Sequence, residues 1–125
     1  MCGGSKKSKI NTIPAFTITF GKTGGFTNIN PVYTFNEKGE LLKQPKENAT
    51  PELLKKLPAI KVDSVYHLIK ETGFLEQPLS NPGNISRYIE LQKDTLKRQI
   101  IWADDHQLSP AYQKLHGYLL SLIKN

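Results

Sequence analysis

Three consecutive polar residues near the carboxyl terminus form the most compact group in this chain that could do chemistry. Asp104, Asp105 and His106 offer two carboxylates and an imidazole, which suit a divalent cation or general acid–base catalysis. Consecutive residues at a strand end point in different directions, which disfavours a shared ion. The pattern therefore favours a solvated loop that ends a strand. A small hydrolase that uses these scattered polar residues stays an alternative.

No other catalytic signature is complete. Gly21-Lys22-Thr23-Gly24-Gly25 has the residue types of a phosphate-binding loop, but not in the order Gly-x-x-x-x-Gly-Lys-Ser/Thr. The one cysteine, Cys2, lies on a polar tail that cannot hold a nucleophile beside a base. HExxH, CxxC and dinucleotide-binding patterns do not occur. The sequence indicates a non-enzymatic protein with no cofactor and no metal ion.

The clearest structural pattern is a hairpin around glycines. Phe16, Ile18 and Phe20 alternate with threonines, which predicts a strand with one buried face, and a second strand follows at Val32–Phe35. A loop on a rigid sheet presents its backbone and one aromatic side chain for docking. The alternative is a tight turn whose phenylalanine folds inward. The candidate partner-binding residues are Gly24, Gly25, Phe26, Thr27 and Asn28.

The rest of the pattern predicts an α+β domain. Short turns join neighbouring strands, so we expect an antiparallel sheet of four to five strands with two helices packed on one face. Residues predicted to share one core are Phe16, Ile18, Phe20, Leu68, Leu115 and Leu119. The later elements are a strand from Leu41, a helical turn at Glu52–Leu57, a helix capped by Asp63 and ended by Gly73, a loop at Gln77–Asn84, a hairpin with arms Tyr88–Gln92 and Leu96–Trp102, and a helix opened by Ser109 and Pro110.

Charge and length limit the classes of function that this chain can have. The 125 residues carry a formal charge of +6, but Lys6, Lys7 and Lys9 lie in the polar tail. Residues 1–11 are expected to be a disordered tether and residues 12–125 a single domain. Basic and acidic side chains are well mixed in that domain, and no aromatic–basic stripe follows them, so no nucleic-acid partner is expected. No apolar run is long enough to span a bilayer.

The amino terminus resembles that of a mature bacterial lipoprotein. Cys2-Gly3-Gly4-Ser5 is followed by a polar spacer, and in lipoproteins such a cysteine carries the lipid. The resemblance implies lipid attachment at Cys2, contact with a membrane through that anchor, and a place in the bacterial cell envelope, periplasmic or surface-facing. Acyl chains partition at about 0.8 kcal/mol per buried methylene, so several chains anchor a small domain firmly. The alternative is an unmodified cysteine in a cytosolic protein.

The order of motifs resembles the emfourin-type inhibitors of thermolysin-like metallopeptidases. The resemblance covers most of residues 16–123, although the segment Glu40–Lys61 is longer than in that family. It implies a small non-catalytic protein that binds a metallopeptidase, or another envelope protein, and occludes the active-site cleft with a loop. A purely structural lipoprotein is a further alternative. The resembling segments are Ile18-Thr19-Phe20, Gly24-Gly25-Phe26-Thr27, Gly73-Phe74-Leu75, the loop from Glu76-Gln77-Pro78 to Pro82-Gly83, Ile101-Trp102-Ala103-Asp104 and the leucine-rich last helix.

Overall fold

A computed structural model describes residues 13–24, 31–45, 49–76, 79–81, 83 and 85–124. They form one sheet and two helices, with a short 3-10 turn at Asp105–Gln107. The elements in chain order are β1 (Phe16–Gly24), β2 (Val32–Asn36), β3 (Glu40–Gln44), β4 (Glu52–Lys56), α1 (Ala59–Glu71), β5 (Leu79–Asn81), β6 (Ile85–Lys93), β7 (Leu96–Trp102) and α2 (Pro110–Leu122).

The fold is α+β, as predicted, but the sheet is larger than expected. Over the described ranges it has seven strands in the order β4-β3-β2-β1-β6-β7-β5. Neighbouring strands run antiparallel, except that β5 runs parallel to β7. The prediction of four to five strands, all antiparallel, is therefore wrong. The two additional strands, β4 and β5, lie at opposite edges of the sheet.

Both edge strands lie in segments for which the local sequence pattern predicts another structure. Glu52–Leu57 was expected to form a helical turn, yet most of it is β4, and the backbone N–H of Leu57 donates to the Gly39 carbonyl at 2.8 Å. Six residues between two prolines are too few for a stable helix, whereas the edge of β3 supplies backbone partners. The predicted loop at Gln77–Asn84 contains β5, which pairs with Ile100–Trp102. Its strand conformation comes from that distant pairing.

The core lies between the helices and one face of the sheet. Phe16, Ile18 and Phe20 of β1 are buried together with Leu115 and Leu119 of α2. Leu68 of α1 is half-buried and packs against the same cluster. The predicted core is therefore confirmed, and the apolar stripe of α2 covers the sheet.

Helix α1 begins earlier than predicted and ends where predicted. Its N-cap is Pro58, not Asp63, and Pro58 makes no side-chain capping bond. The additional turn buries Val62, at 4% exposure, in the core. At the other end Gly73 has φ +69°, the left-handed conformation expected of a terminating glycine. Leu75 then folds back into the core.

The carboxyl-terminal half of the chain follows the sequence pattern closely. The second hairpin joins β6 to β7 through Asp94, which has φ +53°. Ile100 and Trp102 of β7 are fully buried, which identifies the inward face that alternation alone left open. Ser109 caps α2 as predicted, because its side chain accepts from the backbone N–H of Tyr112 at 3.4 Å, and a proline occupies the first helical position.

Candidate functional site

The candidate site is one end of the sheet, which we call the loop end. Strands β1, β3, β5 and β7 finish there, while β2, β4 and β6 begin there. The chain therefore leaves the sheet at this end in four places: after Gly24, Gln44, Asn81 and Trp102. Gly24 and Asp104 therefore lie at the same end, although eighty residues of chain separate them.

Strand register places one row of residues across the loop end. Lys22 of β1 lies opposite Arg87 of β6, which lies opposite Trp102 of β7, which lies opposite Asn81 of β5. Adjacent strands are about 4.8 Å apart, so this row spans about 14 Å. In this row Lys22 is exposed, whereas Trp102 is fully buried.

An exposed apolar residue lies two positions beyond this row, toward the loop end. Ile85, the first residue of β6, lies opposite Gly24 and has 54% of its surface exposed. Lys22, which lies on the same face of the sheet, is also exposed, and Thr23 is exposed on the other face. A single exposed apolar side chain is common on protein surfaces, and it is the position of Ile85 opposite Gly24 that makes it a candidate contact residue. Ile85 was not predicted as a site residue, because the sequence pattern placed the start of this strand at Tyr88. The alternation of Ile85, Arg87 and Ile89 is the pattern that indicates the earlier start.

The short β5–β6 connection is held against the β7–α2 connection. The backbone N–H of Gly83 donates to Ser86 Oγ at 2.9 Å, and Ser86 is buried. A Cβ added to Gly83 would lie 2.8 Å from the Ala103 Cβ, so these two backbones approach too closely for any other residue. Arg87 Nη1 donates to the Ala103 carbonyl at 3.4 Å. The two connections therefore form one packed unit.

Tyr88 and Gly21 shape the start of the β1–β2 connection. Gly21 lies opposite Tyr88, and a Cβ there would come within 2.9 Å of the Pro31 carbonyl oxygen and 3.3 Å of the Tyr88 hydroxyl. A glycine is therefore needed for the chain to pass this point. Burial, and to a smaller extent the Glu90 carboxylate, raises the pKa of Tyr88 above its usual value. The hydroxyl is therefore neutral at physiological pH.

The Asp104–His106 pair is a local turn. One carboxylate oxygen of Asp104 accepts from the backbone N–H of His106 at 3.0 Å and contacts its Nδ1 at 2.8 Å. The backbone bond, followed by the side-chain bond, lowers the pKa of Asp104. The His106 side chain is 94% exposed, so nothing around it excludes water from the pair. In this geometry Asp104 and His106 form a solvent-exposed turn that ends β7, as predicted.

The predicted binding residues are only partly within the described chain. Gly24 is the last residue of β1 and pairs with Ile85. Gly25, Phe26, Thr27 and Asn28 lie outside the described residues, and so does Cys2. The side chain of Asp105 is also outside the described set.

The described residues contain neither a metal-binding cluster nor a membrane-spanning helix. No three histidine, cysteine, aspartate or glutamate side chains among them come together in a group that could hold a metal ion. Neither α1 nor α2, each with 13 residues, has the length and hydrophobicity of a membrane-spanning helix. In comparisons with known proteins, no family model and no curated protein matches this chain.

Proposed function

We propose that this chain is a non-enzymatic binding module of the bacterial cell envelope, tethered by lipid on Cys2. Its loop end contacts a protein partner. The observation that supports the proposal is the exposed Ile85 at the end of a rigid sheet where Gly83 packs closely against Ala103.

The position of the tether supports this arrangement. The tail precedes β1, whose first residue, Phe16, lies at the end of the sheet opposite Gly24. Eight residue steps of strand place these two ends about 27 Å apart. A lipid anchor that leaves from the Phe16 end therefore keeps the loop end accessible to a partner.

The composition of the loop end suits protein recognition. Ile85 supplies an apolar anchor, and the exposed Lys22 supplies a charged neighbour on the same face of the sheet. Trp102 beneath them is fully buried and meets the His116 ring edge-on at a centroid distance of 4.9 Å. The contact residues thus stand on a packed base, which limits the entropy lost on binding.

A metallopeptidase is the most concrete candidate partner, because the motif order resembles that of emfourin-type inhibitors. Inhibition would come from occlusion of the active-site cleft by the loop end. The competing hydrolase hypothesis would use Asp104 and His106, but both side chains of this pair are exposed to solvent, the imidazole to 94%. Water there competes with every catalytic hydrogen bond, so the geometry favours binding over catalysis.

Titration of the purified chain against thermolysin-like metallopeptidases tests the inhibitor proposal. Ile85→Ser should weaken inhibition at least tenfold without a large change in the melting curve. Leu120→Ser is the matched control, because Leu120 is an exposed leucine of α2. Gly25→Val with Phe26→Ala should weaken inhibition as well. Absence of inhibition by micromolar protein against several such enzymes removes the peptidase as partner.

A cross-linking pull-down from envelope extract tests the wider proposal. Wild type and Leu120→Ser should capture the same protein, and Ile85→Ser should lose it. Equal capture by all three variants would rule out the loop end as the contact surface. The anchor is tested separately by intact-mass analysis of the protein expressed from its native gene; a free Cys2 thiol without lipid would end the lipoprotein proposal.

A further inference from the structure

Strand β4 presents an unusual sheet edge. It is the terminal strand of the described sheet and pairs only with β3 on its inner side. Leu53 and Leu54 are 60% and 42% exposed, next to two lysines of the kind that edge strands commonly carry. This edge therefore has both the backbone groups and the apolar side chains that a further strand would use.

A bulge determines which side chains of β4 share a face. Lys43 lies opposite Glu52 and Leu41 opposite Lys55, so Leu54 is an additional residue without an opposite partner in β3. In a regular strand, residues three apart lie on opposite faces. Because of the additional residue, Glu52 and Lys55 both lie on the helix-covered face of the sheet.

Glu52-Leu53-Leu54-Lys55 is self-complementary in an antiparallel pairing. When two copies are centred between Leu53 and Leu54, Glu52 of each copy lies opposite Lys55 of the other. Leu53 of each copy then lies opposite Leu54 of the other. Strands paired antiparallel about a two-fold axis keep the same faces together, so the two charge pairs meet on one face. A regular strand with the same four residues would place these charges on opposite faces.

We propose that two copies of this chain associate through β4, in this register, to form a symmetric dimer with one continuous sheet. Lysine on an edge strand usually discourages self-pairing. In this register each Lys55 faces a glutamate, so the lysine selects one alignment over its neighbours. A shift by one residue in one direction would set Lys55 against Leu53 and Glu52 against Lys56, whose side chain lies on the other face of β4. A shift in the other direction would set Glu52 against Leu54 and leave Lys55 opposite Pro51. The occupant that fits the edge best is thus a second copy.

The dimer should be weak. Each copy contributes one strand, and Lys55 Nζ already donates to the carbonyl of Lys124 in its own chain at 3.0 Å, a bond that the pairing with Glu52 must share or replace. The contact is smaller than a standard interface of roughly 1,600 Å². We expect dimer to accumulate above about 100 μM, which corresponds to about 5.5 kcal/mol of association free energy.

Sedimentation equilibrium of the full chain in reducing buffer, up to millimolar concentration, tests the proposal. Glu52→Lys and Lys55→Glu should each weaken homodimerisation at least tenfold, because each sets like charges opposite one another. An equimolar mixture of the two variants should form a heterodimer at the wild-type concentration, since every lysine then faces a glutamate. The double variant carrying both changes should also dimerise like wild type.

Matched controls keep the result decisive. Leu54→Asp should abolish the dimer, and Ile60→Asp should not, because Ile60 is 71% exposed in α1 and off the strand edge. A monomer at millimolar concentration would overturn the proposal. A dimer that tolerates Leu54→Asp, or single variants that the mixture does not rescue, would also overturn it. A lysate protein captured at this edge in place of the second copy would count against it too.

Discussion

Replacement of Gly39 by alanine tests the packing between the β2–β3 turn and the connection from β4 to α1. Gly39 has φ +83°, and its backbone N–H donates to the Asn36 carbonyl at 3.0 Å. Its own carbonyl accepts from the Leu57 N–H at 2.8 Å. A Cβ at this position would overlap the Leu57 carbonyl oxygen and lie 3.4 Å from a methyl group of Val62. The turn, β4 and α1 would therefore all have to adjust.

Two costs determine the magnitude of this effect. The left-handed conformation costs a residue with a Cβ about 1–2 kcal/mol. Displacement of Leu57 weakens its hydrogen bond to Gly39, which is worth about 0.5–1.5 kcal/mol. Gly39→Ala should therefore lower the free energy of unfolding by about 1.5–3.5 kcal/mol.

Urea denaturation followed by circular dichroism measures the change, with the denaturant slope expected to stay constant. Gly117→Ala is the matched control, because Gly117 is an exposed residue of α2 with no atom within 4 Å of an added Cβ. That variant should gain about 0.5–1 kcal/mol, since alanine favours the helix interior. A loss below about 0.5 kcal/mol for Gly39→Ala would refute the packing of the turn against Leu57.

Three further predictions concern stability and titration. Leu119→Ala should cost about 2–5 kcal/mol, because Leu119 is fully buried between α2 and the sheet; a loss below about 1 kcal/mol in denaturant titration would contradict this layering. Ser109→Ala should cost about 0.5–2 kcal/mol through loss of the α2 cap, and an unchanged melting curve would mean that its 3.4 Å bond contributes nothing. The raised pKa of Tyr88 should appear as a titration midpoint above the usual value of about 10 in the ultraviolet difference between wild type and Tyr88→Phe. The neutral hydroxyl's contribution to stability is complete below that value and is lost as pH rises through the raised pKa; a midpoint at or below about 10 would refute the burial of this hydroxyl.

Local signals predicted the elements whose stability is mainly local or strongly periodic. Alternation identified β1, β2 and the β6–β7 hairpin, and the glycine at position 73 ended α1 where expected. The three-to-four spacing of leucines in α2 predicted its buried face. The start of α1 was predicted too late because Asp63 is a common N-cap residue. The helix begins earlier because the additional turn buries Val62 in the core, which stabilises it.

The binding residues could be predicted only in part. The glycines indicated a turn at the end of β1, and Gly24 does end that strand. Ile85 gave a weak signal because it stands at the first position of its strand, next to a segment rich in turn residues. Whether the predicted loop residues bind a partner stays a prediction, since Gly25–Asn28 lie outside the described residues.

By itself, the sequence determined the class of the fold, the buried faces of β1 and α2, and the turns that carry glycine or a cap. These features depend on residues close together in the chain, because periodicity and turn chemistry act over a few positions. Only the tertiary structure decided the identity of β4 and β5, whose backbone groups find partners on distant strands. It also brought Gly24, Ile85 and Ala103 to one end of the sheet and aligned Glu52 with Lys55 through a bulge. Strand pairing sets these neighbours, and the register between distant strands is not encoded in any short stretch of the chain.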